Sequence, residues 1–229
     1  MNILVYGAGV LGSLYAARLH AAGQKVSILA RGQRLAEIRD YGIVLEDGET
    51  GKQTTTHVNV VDRLDPGDSY DLVVVLMRKN QISSILPTLA ANQHTPSVLF
   101  MGNNCTGPDG MVEALGRERV ILGFPGAGGY RQGHTIIYKI AHARQQPTTF
   151  GTVDGQTTPQ LQQIVTAFSS AGFPVAISAN MDAWLKTHVA EVCPVANALY
   201  MADGDNYELA RYRDGLVLLV RAIREGYQV

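Results

Sequence analysis

Cysteine is nearly absent. The chain has two, Cys105 and Cys193, far apart in 229 residues. A disulfide framework is therefore not expected. Six histidines are scattered with no HxH or HExxH spacing, so no metal site is expected either. No apolar run approaches the length of a membrane span. The first residues run straight into a strand-like segment, without the basic and apolar pattern of a leader. The expected compartment is the cytoplasm, with no membrane partner. An excess of either charge is also missing: 19 Lys and Arg stand against 20 Asp and Glu. A general nucleic-acid surface needs a basic excess, so no nucleic-acid partner is expected and cations matter only where they are locally placed.

What is present is core material. The chain is 46% hydrophobic and 17% charged, which suits a packed domain and not a disordered one. "NILVYG" (Asn2 to Gly7) is a short apolar run ending in glycine, the pattern of a buried parallel strand. Leu11, Leu14, Tyr15, Leu19 and Ala22 then recur at helical spacing, with Gly23 to end the helix. "KVSILA" (Lys25 to Ala30) is a second strand, completing a βαβ unit. Alternation continues through "YGIVLED", "HVNVVD" and the strongly apolar "YDLVVVLM". A helix carrying Pro87, the strand "PSVLFMGN", the short helix "GMVEALG" and the strand "RVILGFPG" follow. "HTIIYKI" and "TTFGTV" read as antiparallel additions at the sheet edge, and "PQLQQIVTAFSSAG" as a helix before the last strand, "FPVAIS".

After Ser178 only helices are expected. One carries Leu185, Val189, Val192, Ala196 and Leu199 on one face. Asp203 to Asp205 makes a turn, and a final helix carries Leu209, Tyr212, Leu216, Leu219, Val220 and Ile223. The fold class is α/β: an N-terminal Rossmann dinucleotide-binding domain (1–178) with a smaller, shortened all-helical C-terminal domain (179–229).

Gly7, Gly9 and Gly12 form G-x-G-x-x-G where the first strand passes into the first helix. The three glycines allow a tight turn, close approach of a pyrophosphate, and close helix–sheet packing, and the helix N-terminus supplies free N–H groups. The strand after the first helix normally ends in an acid that holds the ribose hydroxyls of NAD. That acid is absent here. Arg31 stands in its place, with Arg34 close by. A guanidinium matches a 2′-phosphate bidentately, so the site is expected to prefer NADP(H); the plainer alternative is a solvated surface arginine. Arg78, Lys79 and Gln81 follow the third parallel strand on the side that faces a ligand crevice.

Several segments together resemble the ketopantoate reductases (2-dehydropantoate 2-reductases): "VYGAGVLGSLYAARL" with "LARG", "DLVVVLMRKNQ", "LFMGNNCTG", "GFPGAGGYRQG" and "DAWLKTHVAEVCPVANAL". They run in the family's order over nearly the whole chain. The resemblance implies NADPH-dependent reduction of a 2-oxo acid to a 2-hydroxy acid, with ketopantoate and pantoate as the family's pair, on the route to pantothenate. It implies that Gly7, Gly9 and Gly12 bind pyrophosphate and Arg31 the 2′-phosphate, with Arg78 and Gln81 on the cofactor side. It implies that Asn103 holds the nicotinamide ribose or the substrate, and that Lys186 is the catalytic lysine. Chemistry agrees, since an ammonium beside the ketone stabilises the oxyanion and delivers its proton. Helical spacing alone would read Lys186 as a solvent-facing lysine.

The sequence departs from the family at three points. Ala190 and Pro194 occupy helix positions where the family carries asparagines. Arg78 replaces a lysine. The chain ends at Val229, before further helices that the family carries, so Leu216, Leu219 and Ile223 are expected to meet a second copy in a homodimer. A catalytically weak NADPH-binding sensor or interaction protein is the alternative to an enzyme. A hydroxy-acid or sugar-phosphate dehydrogenase would share the cofactor half without the Trp184-x-Lys186 helix.

Overall fold

The structure, a computed structural model, describes residues 1–228. The chain divides into two compact units, one of residues 1–102 and 108–181 and the other of residues 103–107 and 182–229.

In the first unit, β1 (Asn2–Tyr6), α1 (Val10–Ala21) and β2 (Lys25–Leu29) form the expected βαβ start. α2 (Gly32–Tyr41), β3 (Ile43–Asp47), β4 (Gln53–Thr56), β5 (Asn59–Val61) and β6 (Leu72–Val75) follow. Next come α3 (Lys79–Ala91), β7 (Val98–Met101), α4 (Asp109–Leu115) and a 3-10 turn at Arg117–Arg119. β8 (Val120–Phe124), β9 (Ala127–Gln132), β10 (Thr135–Ile140), β11 (Thr148–Thr152), α5 (Pro159–Ser170) and β12 (Val175–Ile177) complete the strands.

An eight-stranded sheet has the order β12-β11-β8-β7-β6-β1-β2-β5. Six of its strands are parallel, and β11 turns against β8 with β12 parallel beside it. The central strands β1, β6 and β7 are almost wholly buried, as a parallel sheet covered on both faces requires. The mixed α/β architecture, with its helical C-terminal stretch, is the class the sequence predicts.

Two strand placements differ from the sequence reading. "HTIIYKI" is not an edge addition to the large sheet. It is β10, inside a separate four-stranded sheet of order β4-β3-β10-β9. "TTFGTV" is antiparallel as expected, but β12 lies outside it, so it is not the edge. The sequence reading also had no strand at Gln53–Thr56. That segment is polar and mostly exposed, so it carries no apolar alternation, although its three threonines favour a strand.

α1 lies between the two sheets. Its buried residues include Ser13, Ala16 and Ala17 besides Leu14, Tyr15 and Leu19, and it packs against β2 of one sheet and β9 and β10 of the other. A helix covered on both sides is apolar all round rather than striped. Tyr15 is fully buried, stacks on Phe173 at 4.2 Å between centroids, and shares a 2.8 Å hydrogen bond with Thr148. Burial raises its phenol pKa.

The second unit holds the loop 103–107 and three helices: α6 (Met181–Met201, its first residue counted with the first unit), α7 (Asn206–Arg211) and α8 (Arg213–Gly226). The single terminal helix of the sequence reading is thus two. Asp205 caps α7 by accepting from the Tyr207 and Glu208 amides at 2.8 and 3.2 Å. On α6, Leu185 and Ala198 are buried but Ala196 is exposed, so the buried stripe is not the one the spacing predicts. Pro194 sits mid-helix and interrupts the regular repeat, because it cannot donate to the Ala190 carbonyl.

Candidate active site

The glycine loop leaves β1 at Tyr6. Gly7 has φ +114, and a Cβ there would lie 2.7 Å from the Leu76 carbonyl oxygen at the end of β6. Only glycine fits both demands. A Cβ on Gly12 would run into the Gly7 carbonyl oxygen, so α1 can rest on the loop only without a side chain there. Gly9 differs: a Cβ there would meet nothing within 4 Å. It faces open space, and it caps α1 with no side-chain hydrogen bond. The first amides of α1 are therefore left for a ligand, as a pyrophosphate requires.

That open space is a cleft of about 350 Å³ at the carboxyl ends of β1, β2 and β6, with Gly7, Ala8 and Gly9 on one side and Leu29, Ala30 and Met77 on another. Arg31, Arg34 and Arg131 also line it, and no acidic residue does. Arg31 follows β2 and is the N-cap residue of α2; it is exposed, and its Nη2 donates to the Tyr6 hydroxyl at 3.4 Å. The glycine cradle, the uncapped helix end and a cation-lined pocket fit a dinucleotide carrying phosphates.

Arg34 is differently engaged. Its Nε donates to the Ala8 carbonyl at 3.1 Å, its Nη2 to the Ser13 hydroxyl at 3.0 Å and its Nη1 to Glu37 at 3.1 Å. Its side chain is 12% exposed. Burial lowers its pKa and Glu37 opposes that shift. Arg34 is thus a brace behind the glycine loop. Arg131, on β9, reaches Glu37 at 3.4 Å and stays 45% exposed. It is the cleft residue that sequence reasoning missed. Its segment, "GFPGAGGYRQG", carries the family resemblance but no local pattern that marks Arg131 as a cleft residue.

Arg78 is the exposed N-cap residue of α3, directly after β6 and Met77, and Gln81 stands exposed in the first turn. Neither lines the cleft just described.

The second unit gathers the other two candidates. Asn103 is exposed in the loop that follows β7, and its neighbour Asn104 is buried. Asn104 donates to the Gly107 carbonyl at 2.9 Å and accepts from the Thr106 amide at 3.2 Å, which fixes the loop. A Cβ on Gly107 would stand 3.5 Å from Asp182 Oδ1, so the loop touches the first turn of α6. Lys186 lies one turn further on. Its Nζ donates to Asp182 Oδ2 at 2.6 Å, and the lysine side chain is 52% exposed. Trp184 stacks on His188, 5.1 Å between centroids and 8° from parallel. Burial lowers the His188 pKa, against the pull of Glu191.

Ala190, where the resemblance would place an asparagine, has a packing role. A Cβ on Gly226 of α8 would stand 3.0 Å from the Ala190 Cβ and 3.3 Å from its carbonyl oxygen. The two helices meet there through their smallest side chains, and a longer one would push α8 away. Among the described residues no group of three or more His, Cys, Asp or Glu could hold a metal, and no helix is long and apolar enough to cross a membrane.

A family model described as ketopantoate reductase PanE/ApbA matches residues 3–155. The 2-dehydropantoate 2-reductase of Halobacterium salinarum is 27% identical over 234 residues, covering 100% of this chain and 75% of the relative. The crystal structure of 2-dehydropantoate 2-reductase from Porphyromonas gingivalis W83 matches with a TM-score of 0.77 at 18% identity, over 96% of this chain and 79% of that one. D-mandelate dehydrogenase, solved with NADH and anilino(oxo)acetate, shares the fold with a TM-score of 0.73 at 16% identity, over 99% and 78% of the two chains. The chain belongs to the ketopantoate reductase family, dinucleotide-dependent oxidoreductases that act on the CH–OH group of a small molecule.

Proposed function

We propose that the protein uses NADPH to reduce a 2-oxo acid to a 2-hydroxy acid, with ketopantoate the substrate and pantoate the product, on the cytoplasmic route to pantothenate. Residues 1–178 form the cofactor domain, and residues 179–229 serve the substrate and dimer contacts. The observation that carries the cofactor choice is Arg31. It lines the cleft at the end of β2, where an acid would hold an unphosphorylated ribose. The shared fold leaves that choice open, because D-mandelate dehydrogenase is found with NADH.

When bound, NADPH would supply the hydride, a hydrogen nucleus with two electrons, that reduces the carbonyl carbon. Gly7, Gly9 and Gly12 seat the pyrophosphate against the α1 amides, and Arg31 takes the 2′-phosphate. Arg78, which caps α3 after β6, and Gln81, in the first turn of α3, serve the cofactor side. Asn103 orients the substrate or the nicotinamide ribose. Lys186 stabilises the oxygen as it gains charge and gives it a proton, so the ketone gains hydride plus proton. The Asp182 carboxylate, 2.6 Å from Nζ, holds the ammonium in position. The face of α8 with Leu216, Leu219 and Ile223, the first exposed and the other two half-buried, is assigned to contact with a second copy.

The test is NADPH oxidation followed at 340 nm with ketopantoate. Turnover that requires ketopantoate supports the reading. Tight NADPH binding without turnover on ketopantoate would refute the substrate, and indifference between NADPH and NADH would refute the cofactor.

A further inference from the structure

The cleft carries more positive charge than one phosphate-binding arginine accounts for. Three arginines line it from different parts of the chain: Arg31 before α2, Arg34 within α2, and Arg131 on β9. One carboxylate, Glu37, stands behind them, and it does not line the cleft. Glu37 is already matched by Arg34, at 3.1 Å with both side chains largely buried. Arg131 is the second cation on that carboxylate, at the longer distance of 3.4 Å and with 45% of its side chain exposed. The pair Arg34–Glu37 is neutral. Three guanidinium groups against the one Glu37 carboxylate leave a net charge of two at the pocket, equal in size and opposite in sign to a phosphate monoester near neutral pH.

We infer that Arg131 is a second specificity-determining residue for the 2′-phosphate, reaching across from β9 while Arg31 holds the phosphate from the end of β2. This rests on the NADPH reading above. The ligand chemistry is a phosphate monoester dianion on a ribose, and a guanidinium donating two parallel hydrogen bonds suits it. Glu37 holds Arg131 beside the cleft before the phosphate arrives, so little side-chain freedom is lost on binding. A sheet-anchoring contact between β9 and α2 would need no cation on the pocket wall.

The test is a set of fluorescence titrations with NADPH and with NADH on the wild type, Arg131→Ala, Arg131→Lys and Arg31→Ala. Arg131→Ala is expected to weaken NADPH about five- to twentyfold and NADH less than about twofold, in line with the loss of one charge-assisted contact. Arg131→Lys keeps the charge without the fork, and an intermediate NADPH affinity is expected. The NADPH-to-NADH ratio is the deciding quantity, since a purely structural contact would lower the melting temperature and leave that ratio unchanged. If the wild type prefers NADPH and Arg31→Ala loses that preference while Arg131→Ala keeps it, the role of Arg131 is overturned and the cofactor reading stands. If Arg131→Ala weakens both cofactors equally, the role is overturned in the same way. If the wild type does not distinguish the cofactors, the NADPH reading fails and this inference fails with it.

Discussion

Arg34 donates through Nε to the carbonyl oxygen of Ala8 at 3.1 Å, tying α2 to the glycine loop across 26 positions of chain. The same guanidinium holds Ser13 in the first turn of α1. It therefore shapes the glycine loop itself, and any effect on a dinucleotide should not depend on which ribose it carries. Arg34→Ala should lower stability by about 1–3 kcal/mol, the usual range for hydrogen bonds to a charged group. It should weaken NADPH and NADH by similar factors. Thermal melting and paired titrations check this, and a selective loss of NADPH would instead make Arg34 a phosphate ligand.

Arg31 should behave in the opposite way. It is exposed, and its one side-chain hydrogen bond among the described residues goes to the Tyr6 hydroxyl, at the long distance of 3.4 Å. Arg31→Ala should leave stability within about 0.5 kcal/mol, as for surface substitutions in general. NADPH affinity should fall at least about tenfold, and NADH affinity should change little. Equal losses for both cofactors would remove Arg31 from phosphate recognition.

Gly12 has no room for a methyl group, because its Cβ would overlap the Gly7 carbonyl oxygen. Backbone cannot move aside as a flexible side chain can. Gly12→Ala should cost about 1–3 kcal/mol or more through overpacking, with cofactor binding lost together with stability. Gly9→Ala adds a methyl into open space and should fold normally. Its defect should be confined to dinucleotide affinity, measured by titration of the folded protein.

Lys186→Ala should reduce turnover about a hundredfold or more, the scale of a positioned acid, with NADPH affinity within about twofold of wild type. Removing the cation also leaves Asp182 without its ion pair. That pair is partly solvent-accessible, so its loss should cost no more than about 1 kcal/mol of stability. Turnover that survives in the alanine variant would remove Lys186 from the chemistry.

Trp184, the only tryptophan in the chain, stacks on His188 and reports its charge. Burial favours the neutral imidazole, so the His188 pKa in the folded protein lies below its ordinary 6.5. Tryptophan emission should drop as pH falls through that lowered value and not at 6.5 itself. The linked stability has a definite sign. A depressed histidine pKa contributes stability that is fully present above 6.5 and is lost as pH falls from there through the folded value. His188→Gln should flatten both the fluorescence and the stability curves in that window.

The glycine loop and Arg31 were legible because they are local. A turn, a helix start and the residue closing a strand each leave their mark within a few positions. Strand pairing leaves no such mark. β10 pairs β3 from roughly ninety residues away, and nothing within "HTIIYKI" says which sheet it joins. Arg131 was hidden for the same reason, since it reaches the cleft only because β9 pairs β10 and α1 is held against both.

The amino-acid sequence by itself determined the α/β class, the glycine-rich turn between β1 and α1, the arginine that follows β2, and the family. These depend on side-chain type and on periodicity along the chain. Only the tertiary structure decided that a second sheet covers α1, that Arg34 braces the loop, and that Arg131 joins Arg31 at the cleft. Each of those turns on which distant segments come into contact, and that is settled by burial of the whole core and not by any one stretch of residues.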